Sequence, residues 1–235
     1  MQYPTDVRVI RTMCAGRIDP SMIMEAFVRG ADGVFTAGCL PGECHYTSGN
    51  FQADLRVKVL RTLLENAGLS ADRLVFRWMS SAEGAKFVSY VTSFIEQIKG
   101  LGPLGQSEGV ADGNLKVKLL AAKNAAEGRK LRWVLGKQTQ FETEGNLYGE
   151  VFTPHEIERM FGEIVMDECA IQEIVLHLEE QALSVQELAK MVGISPPRTL
   201  RHLVNMRKMG MAELDGLDGR TPRWKRVAAR EARVR

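Results

Sequence analysis

At 235 residues, 45% hydrophobic and 26% charged, the chain has length for one large domain or two ordinary ones and enough apolar content to bury a core. That excludes a disordered tail, a collagen-like repeat and a disulfide mini-protein. No run approaches the roughly 18 apolar residues of a membrane helix, and Met1-Gln2-Tyr3-Pro4-Thr5-Asp6 lacks the basic-then-apolar pattern of a signal peptide. A cytoplasmic protein without membrane association is expected. The net charge of +2 is unevenly spread: residues 1–107 carry +1, residues 108–169 carry −3 and residues 170–235 carry +4. The basic C-terminal end raises nucleic acid as a partner.

In chain order, Val7–Cys14 is a β-branched-rich run that predicts a strand ending at a cysteine. Asp19-Pro20 supplies an N-cap and a proline at the first helical position for a helix Ser21–Arg29, closed by Gly30. Gly33–Cys39 predicts a second strand, Leu40–Asn50 a loop, Phe51–Ala67 a helix and Arg73–Met79 a third strand. Ser80-Ser81-Ala82-Glu83 spells a capping box for a helix running to about Lys99. Strands alternating with helices imply an α/β domain with a small parallel sheet, whose ligands sit beyond the carboxyl ends of the strands. Cys14 and Cys39 fall at such ends and Cys44 lies in the following loop, so three thiols are expected on one rim.

The glycines and proline of Gly100–Ser107 read as a linker. Beyond it, residues 114–138 form a helical pattern that Gly128 and Gly136 weaken, and Thr153-Pro154-His155-Glu156 starts another helix. The division expected is therefore 1–103, a helical connecting region 108–169, and 170–235. In the last of these, Ala170–Gln181 is one helix, the capping box Ser184-Val185-Gln186-Glu187 opens a second, and Pro196-Pro197 a third after the turn at Gly193. Met211–Leu214 and Arg223–Val227 can pair around a loop. A mostly α region ending in three helices and a hairpin resembles a winged helix-turn-helix. Read as a DNA binder, its third helix offers Arg198, Arg201, His202, Asn205 and Lys208 to the major groove, with Arg220, Arg223, Lys225 and Arg226 on the wing for phosphates. Read as a docking module, those charges are a solvated face.

The four cysteines, Cys14, Cys39, Cys44 and Cys169, point in an intracellular chain to metal or redox work rather than disulfides. Cys39-Leu40-Pro41-Gly42-Glu43-Cys44 has the four-residue spacing used by plant-type ferredoxins, and Pro41-Gly42 lets the loop fold back. Cys14 is the natural third ligand, and His45 a fourth ligand or a hydrogen-bond donor to a cluster sulfur. Zinc suits the same donors, and buried cysteines used as small hydrophobes are the plain alternative. Cys169, alone in a helical stretch, reads as structural, and His155 and His177 as isolated helix residues. No Gly-x-Gly-x-x-Gly loop, phosphate loop or Ser/His/Asp arrangement argues for independent catalysis.

Gln2-Tyr3-Pro4, Val7–Pro20, Gly30-Ala31-Asp32-Gly33-Val34, Gly38–Tyr46, Gly49-Asn50, Ser80–Gly84 and Lys86-Phe87 agree in order and spacing with one family. Over residues 2–103 the chain resembles the delta subunit of methyl-viologen-reducing (F420-non-reducing) hydrogenase. The resemblance implies a [2Fe–2S] electron-transfer protein that takes electrons from a hydrogenase or formate dehydrogenase and passes them to the flavin-containing A component of heterodisulfide reductase. It implies a ligand role for Cys14, Cys39 and Cys44. It also implies an earlier strand and cysteine-rich turn upstream of Met1, so that the chain is expected to be an N-terminally truncated version of the domain. A redox-sensing DNA-binding regulator is the alternative function.

Overall fold

The computed structural model describes residues 2–227 and divides into two compact units, 1–166 and 167–235. Among the described residues no helix is long and apolar enough to cross a membrane.

In the first unit, Asp19 caps helix α1 (Pro20–Val28) by accepting from the Ser21 N–H at 2.9 Å, and Gly30 closes it at φ +88°. Strand β1 (Val34–Gly38) pairs in parallel with β2 (Leu74–Trp78), joined through helix α2 (Gly49–Asn66), with Thr36 opposite Phe76. Alternation along the strands sends neighbours to opposite faces. Thr36 and Phe76 close a small apolar cavity with Ile23 of α1 and Ala53, Val57 and Leu60 of α2, whereas Phe35 meets Phe94 of helix α3 (Gly84–Leu101) with ring centroids 5.7 Å apart. The sheet is thus a two-stranded ribbon with helices on both faces.

The run Val7–Cys14 is not a strand. It is extended at Cys14 but pairs with neither β1 nor β2, and Ile10 and Met13 are 77% and 86% exposed. Strand preference in β-branched residues reflects fit to a half-buried pleated surface, and these side chains have no such surface to fill.

Ser80–Glu83 is a turn rather than a helical start. The Glu83 carboxylate accepts from the Ser80 N–H at 2.8 Å, but the helix begins only at Gly84. The Gly100–Ser107 stretch is held by Arg73, which has no exposed surface. Its guanidinium donates to the carbonyls of Asp32, Gly102 and Pro103 at 2.9–3.1 Å and pairs with Glu108 at 2.7 Å. Unpaired carbonyls at the end of α3 thereby gain a cationic partner. That guanidinium also draws the Glu108 carboxyl down to a pKa of about 2.

The helical pattern over 114–138 is two helices, α4 (Asp112–Glu127) and α5 (Arg129–Thr143). Gly128 between them takes an extended ψ of 143°, and a Cβ there would lie 3.0 Å from the Ala125 carbonyl. Helix α6 (Pro154–Glu180) opens on the expected box: Thr153 Oγ1 accepts from the Glu156 N–H, and Glu156 accepts from the Thr153 N–H at 2.8 Å. It runs without a break through the segment where a separate helix Ala170–Gln181 was expected, and Cys169 is fully buried in it.

The second unit continues with α7 (Val185–Val192), whose capping box Ser184/Glu187 is complete and whose C-cap Gly193 is left-handed at φ +77°, and α8 (Pro196–Lys208). Ile174 and Leu178 of α6 pack with Leu188, Leu203, Met206, Ala212 and Trp224. Strands β3 (Ala212–Asp218) and β4 (Thr221–Arg226) form a longer hairpin with a tighter turn than expected, with a register shift between Leu214 and Gly216. Leu183 exchanges both backbone bonds with Trp224 at 2.9 and 2.8 Å, adding a third short strand contact. Three helices and this hairpin make a winged helix-turn-helix.

Candidate iron–sulfur site

The Cys39–Cys44 loop folds back as expected. Pro41 and Gly42 occupy the centre of a turn closed by the Glu43 N–H on the Leu40 carbonyl at 3.0 Å, with Gly42 at φ +84°. A second turn, closed by the Thr47 N–H on the Cys44 carbonyl at 2.9 Å, holds Thr47 at φ +65°, where a β-branched residue is strained. These two turns bring Cys44 beneath the start of α2.

Helix α2 has no side-chain cap: Ser48 stands at its N-cap position without making the bond. The amide N–H groups of Asn50, Tyr46 and Gly49 donate instead to the Cys44 sulfur. Burial pushes the Cys44 thiol up, but those donors and the adjoining Cys14 thiol outweigh it and hold the pKa below the ordinary thiol value. The positive end of the helix dipole favours the thiolate in the same direction.

Cys14 reaches this spot because two glycines meet. A Cβ on Gly16 would lie 2.5 Å from the Gly49 carbonyl oxygen, and a Cβ on Gly49 would lie 2.5 Å from Cys14 Sγ and 3.4 Å from Cys44 Sγ. The short 3-10 turn Ala15–Arg17 therefore seats directly on the first turn of α2. Arg56, further along α2, donates to the carbonyls of Gly16 and Ile18 and clamps that turn. Ala15 also lies against Gly38, so the site does sit at the carboxyl end of β1.

Two of the three expected thiols thus converge. Cys39 is exposed, and its carbonyl, with that of Leu40, accepts from the Asn50 side chain at 3.2 and 2.9 Å. His45 is exposed and stands edge-on to Tyr46 at 5.0 Å. Among the described residues no three Cys, His, Asp or Glu side chains come together as a metal-sized group. Two neighbouring cysteine sulfurs, one of them facing amide donors, fit one iron of a cluster: the sulfur chemistry is right and amides suit sulfur acceptors. Asn50, buried at 1% exposure, was given no role beyond its place in the Gly49-Asn50 motif, and Arg56 was not singled out from the sequence. An asparagine directly after Gly49 was the available signal.

In the second unit, Arg201, Asn205 and Lys208 lie exposed on α8. Arg198 instead pairs with Asp167 at 2.7 Å, and His202 is buried 3.4 Å from the same carboxylate. Burial keeps the His202 imidazole below its usual pKa, with Asp167 opposing. On the wing, Arg223 is tied to Glu187 and Asp218, Lys225 to Asp215 and Arg226 to Glu179, while Arg220 stands exposed at the turn.

Comparison with known proteins assigns a segment of each unit to a different family. The sequence model of the methyl-viologen-reducing hydrogenase delta subunit matches residues 1–102, and that of the bacterial regulatory proteins of the arsR family matches residues 172–213. The chain is 47% identical over 103 residues to the D iron–sulfur subunit of the vhc F420-non-reducing hydrogenase of Methanococcus voltae, covering 44% of this chain and 72% of that one. It is 45% identical over 101 residues to the D iron–sulfur subunit of the F420-non-reducing hydrogenase of Archaeoglobus profundus, covering 43% and 74%. It is also 47% identical over 105 residues to the A subunit of the ferredoxin:CoB-CoM heterodisulfide reductase of Methanosarcina mazei, where the match covers 45% of this chain and 13% of the other.

Proposed function

The chain belongs, through residues 1–102, to the methyl-viologen-reducing hydrogenase delta-subunit family, and from that premise we propose that it is an iron–sulfur electron-transfer protein rather than an independent enzyme. The carrying observation is the convergence of Cys14 and Cys44 on the N-terminus of α2. These two would hold iron, with Cys39 as a third ligand by its place in the family motif. A [2Fe–2S] cluster, when bound, supplies a centre that takes up and gives back one electron.

The chain's own residues do the rest. The N–H groups of Tyr46, Gly49 and Asn50 hold negative charge on sulfur, and Asn50 fixes the Cys39–Cys44 loop to α2. Tyr46 and Phe51 are exposed beside the thiols and offer a surface for partner contact. The partners proposed are a hydrogenase or formate dehydrogenase as donor and a heterodisulfide reductase A-type flavoprotein as acceptor. The relatives named as hydrogenase D subunits support the hydrogenase, and the matching segment within the M. mazei heterodisulfide reductase chain supports the acceptor.

Iron and acid-labile sulfide on protein purified without oxygen, with EPR after dithionite reduction, test the proposal. About two irons per chain, lost in Cys14→Ser and Cys44→Ser, are expected. A chain that takes up no iron on reconstitution with iron and sulfide overturns it.

The match to the arsR-family model favours one second reading, a DNA-binding regulator. It would use Arg201, Asn205 and Lys208, since Arg198 and most of the wing cations are already engaged by carboxylates. A duplex bound with sequence preference that Asn205→Ala relaxes would establish it.

A further inference from the structure

The winged-helix unit carries an open groove of about 440 Å³ lined by Val185 of α7, Leu200 of α8, Leu214 and Leu217 of β3, and Pro222 and Trp224 of β4. That volume is in the range of ligand clefts. Its lining is not sealed: Leu217 is 72% exposed and Leu200 and Leu214 are 44% and 45% exposed, so a contiguous apolar surface faces solvent between the third helix and the wing. Beneath the groove one polar group has no partner. Trp224 is buried, and its indole N–H finds no acceptor among the described residues.

The unpaired charge beside the lining residues is positive. Arg201 follows Leu200 on α8, and Arg220 sits at the hairpin turn just beyond the Leu217–Pro222 pair; neither makes an ion pair among the described residues. The other cations of the hairpin are neutralised by Glu187, Asp218, Asp215 and Glu179. A duplex has phosphates for Arg201 and Arg220 but nothing apolar of a size to fill the groove.

We propose that this groove docks an acidic amphipathic helix of a partner protein, its apolar side chains seated between Leu200, Leu217 and Trp224 and its carboxylates facing Arg201 and Arg220. This is the helix-in-groove mode, with apolar anchors at i, i+3, i+4 and i+7. The assignment does not depend on the iron–sulfur reading of the first unit.

The test is selection on the full chain from a display library of amphipathic helices of about 18 residues, five turns, with the apolar stripe fixed and the polar face randomised among Glu, Lys, Gln and Ser. The expected winners carry a net negative polar face. Their affinity falls at least about tenfold for Leu217→Glu and also falls for Arg220→Glu, both substitutions lying on exposed side chains that the fold tolerates. Neutral or basic winners, no winners, or acidic winners that bind Leu217→Glu unchanged each overturn the proposal. So does a duplex recovered from a random-sequence pool whose binding Leu217→Glu abolishes, since that assigns the face to DNA.

Discussion

The two units build their surfaces by opposite means. In the first, the site is made by main chain. Gly16 meets Gly49, amide groups of α2 point at the Cys44 sulfur, and Asn50 ties a loop by its carbonyls, with hardly a charged side chain involved. In the second, carboxylate and cation are paired across the hairpin and α8, and the open face is apolar. Sulfur ligands need close approach and many weak donors, which small residues and helix ends provide. A docking face needs a rigid frame and a gap, which ion pairs at the edge and a packed core provide.

The sharpest way to break that contrast lies in the buried charged pair Arg73–Glu108 of the first unit. Arg73→Met leaves the Glu108 carboxylate and four carbonyls without their cation, and about 3–5 kcal/mol should be lost from the first unit. Urea unfolding of the full chain should show that loss in one transition, with the winged-helix transition unmoved. The same pair sets an acid limit. Glu108 is depressed to about 2 when folded, against roughly 4.3 unfolded. Its contribution is therefore complete above about pH 5 and disappears as the pH falls through 4 towards 2. Urea midpoints that fall no further in wild type than in Glu108→Gln over that window would contradict this.

Gly49→Ala sharpens the main-chain side of the contrast. Alanine suits a helix start, but its Cβ would occupy the space 2.5 Å from Cys14 Sγ, so the fold should persist while iron uptake falls to near zero. Circular dichroism and iron assay together separate the two effects. Asn50→Ala frees the Cys39–Cys44 loop by removing its bonds to the half-exposed carbonyls of Cys39 and Leu40, at about 1 kcal/mol. The rate at which Cys39 and Cys44 react with a thiol reagent should rise, and an unchanged rate would count against a positioning role.

Smaller effects belong to the second unit. Ser184→Ala removes half of the α7 capping box and should cost about 1 kcal/mol in thermal or urea unfolding. Lys225→Ala breaks an exposed pair with Asp215 and should leave the urea midpoint almost unmoved, any difference fading in salt.

Local chemistry carried most of the element assignments. Asp19-Pro20, Thr153–Glu156 and Ser184–Glu187 each start a helix where the spelling says, because such a cap is satisfied by residues two or three apart, although the Ser80–Glu83 spelling closes only a turn. Val7–Cys14 shows the limit, since a strand exists only if another strand lies beside it. The expected rim of thiols shows it again. Spacing correctly predicted the fold-back at Pro41-Gly42, yet that turn leaves Cys39 exposed while Cys44 joins Cys14. His202 reads from its helix position as a groove contact and is buried against Asp167, thirty-five positions earlier in the chain.

By itself, then, the sequence determined the caps, the turns, the family of the first hundred residues and the winged-helix pattern, all of which depend on neighbours a few positions apart or on motif order. Only the tertiary structure decided which thiols meet, which cations remain free and where an apolar face stays open. Each of those depends on two segments distant in sequence approaching within a few ångströms, and it was the absent side chains of Gly16 and Gly49, as much as any residue with chemistry of its own, that allowed the approach.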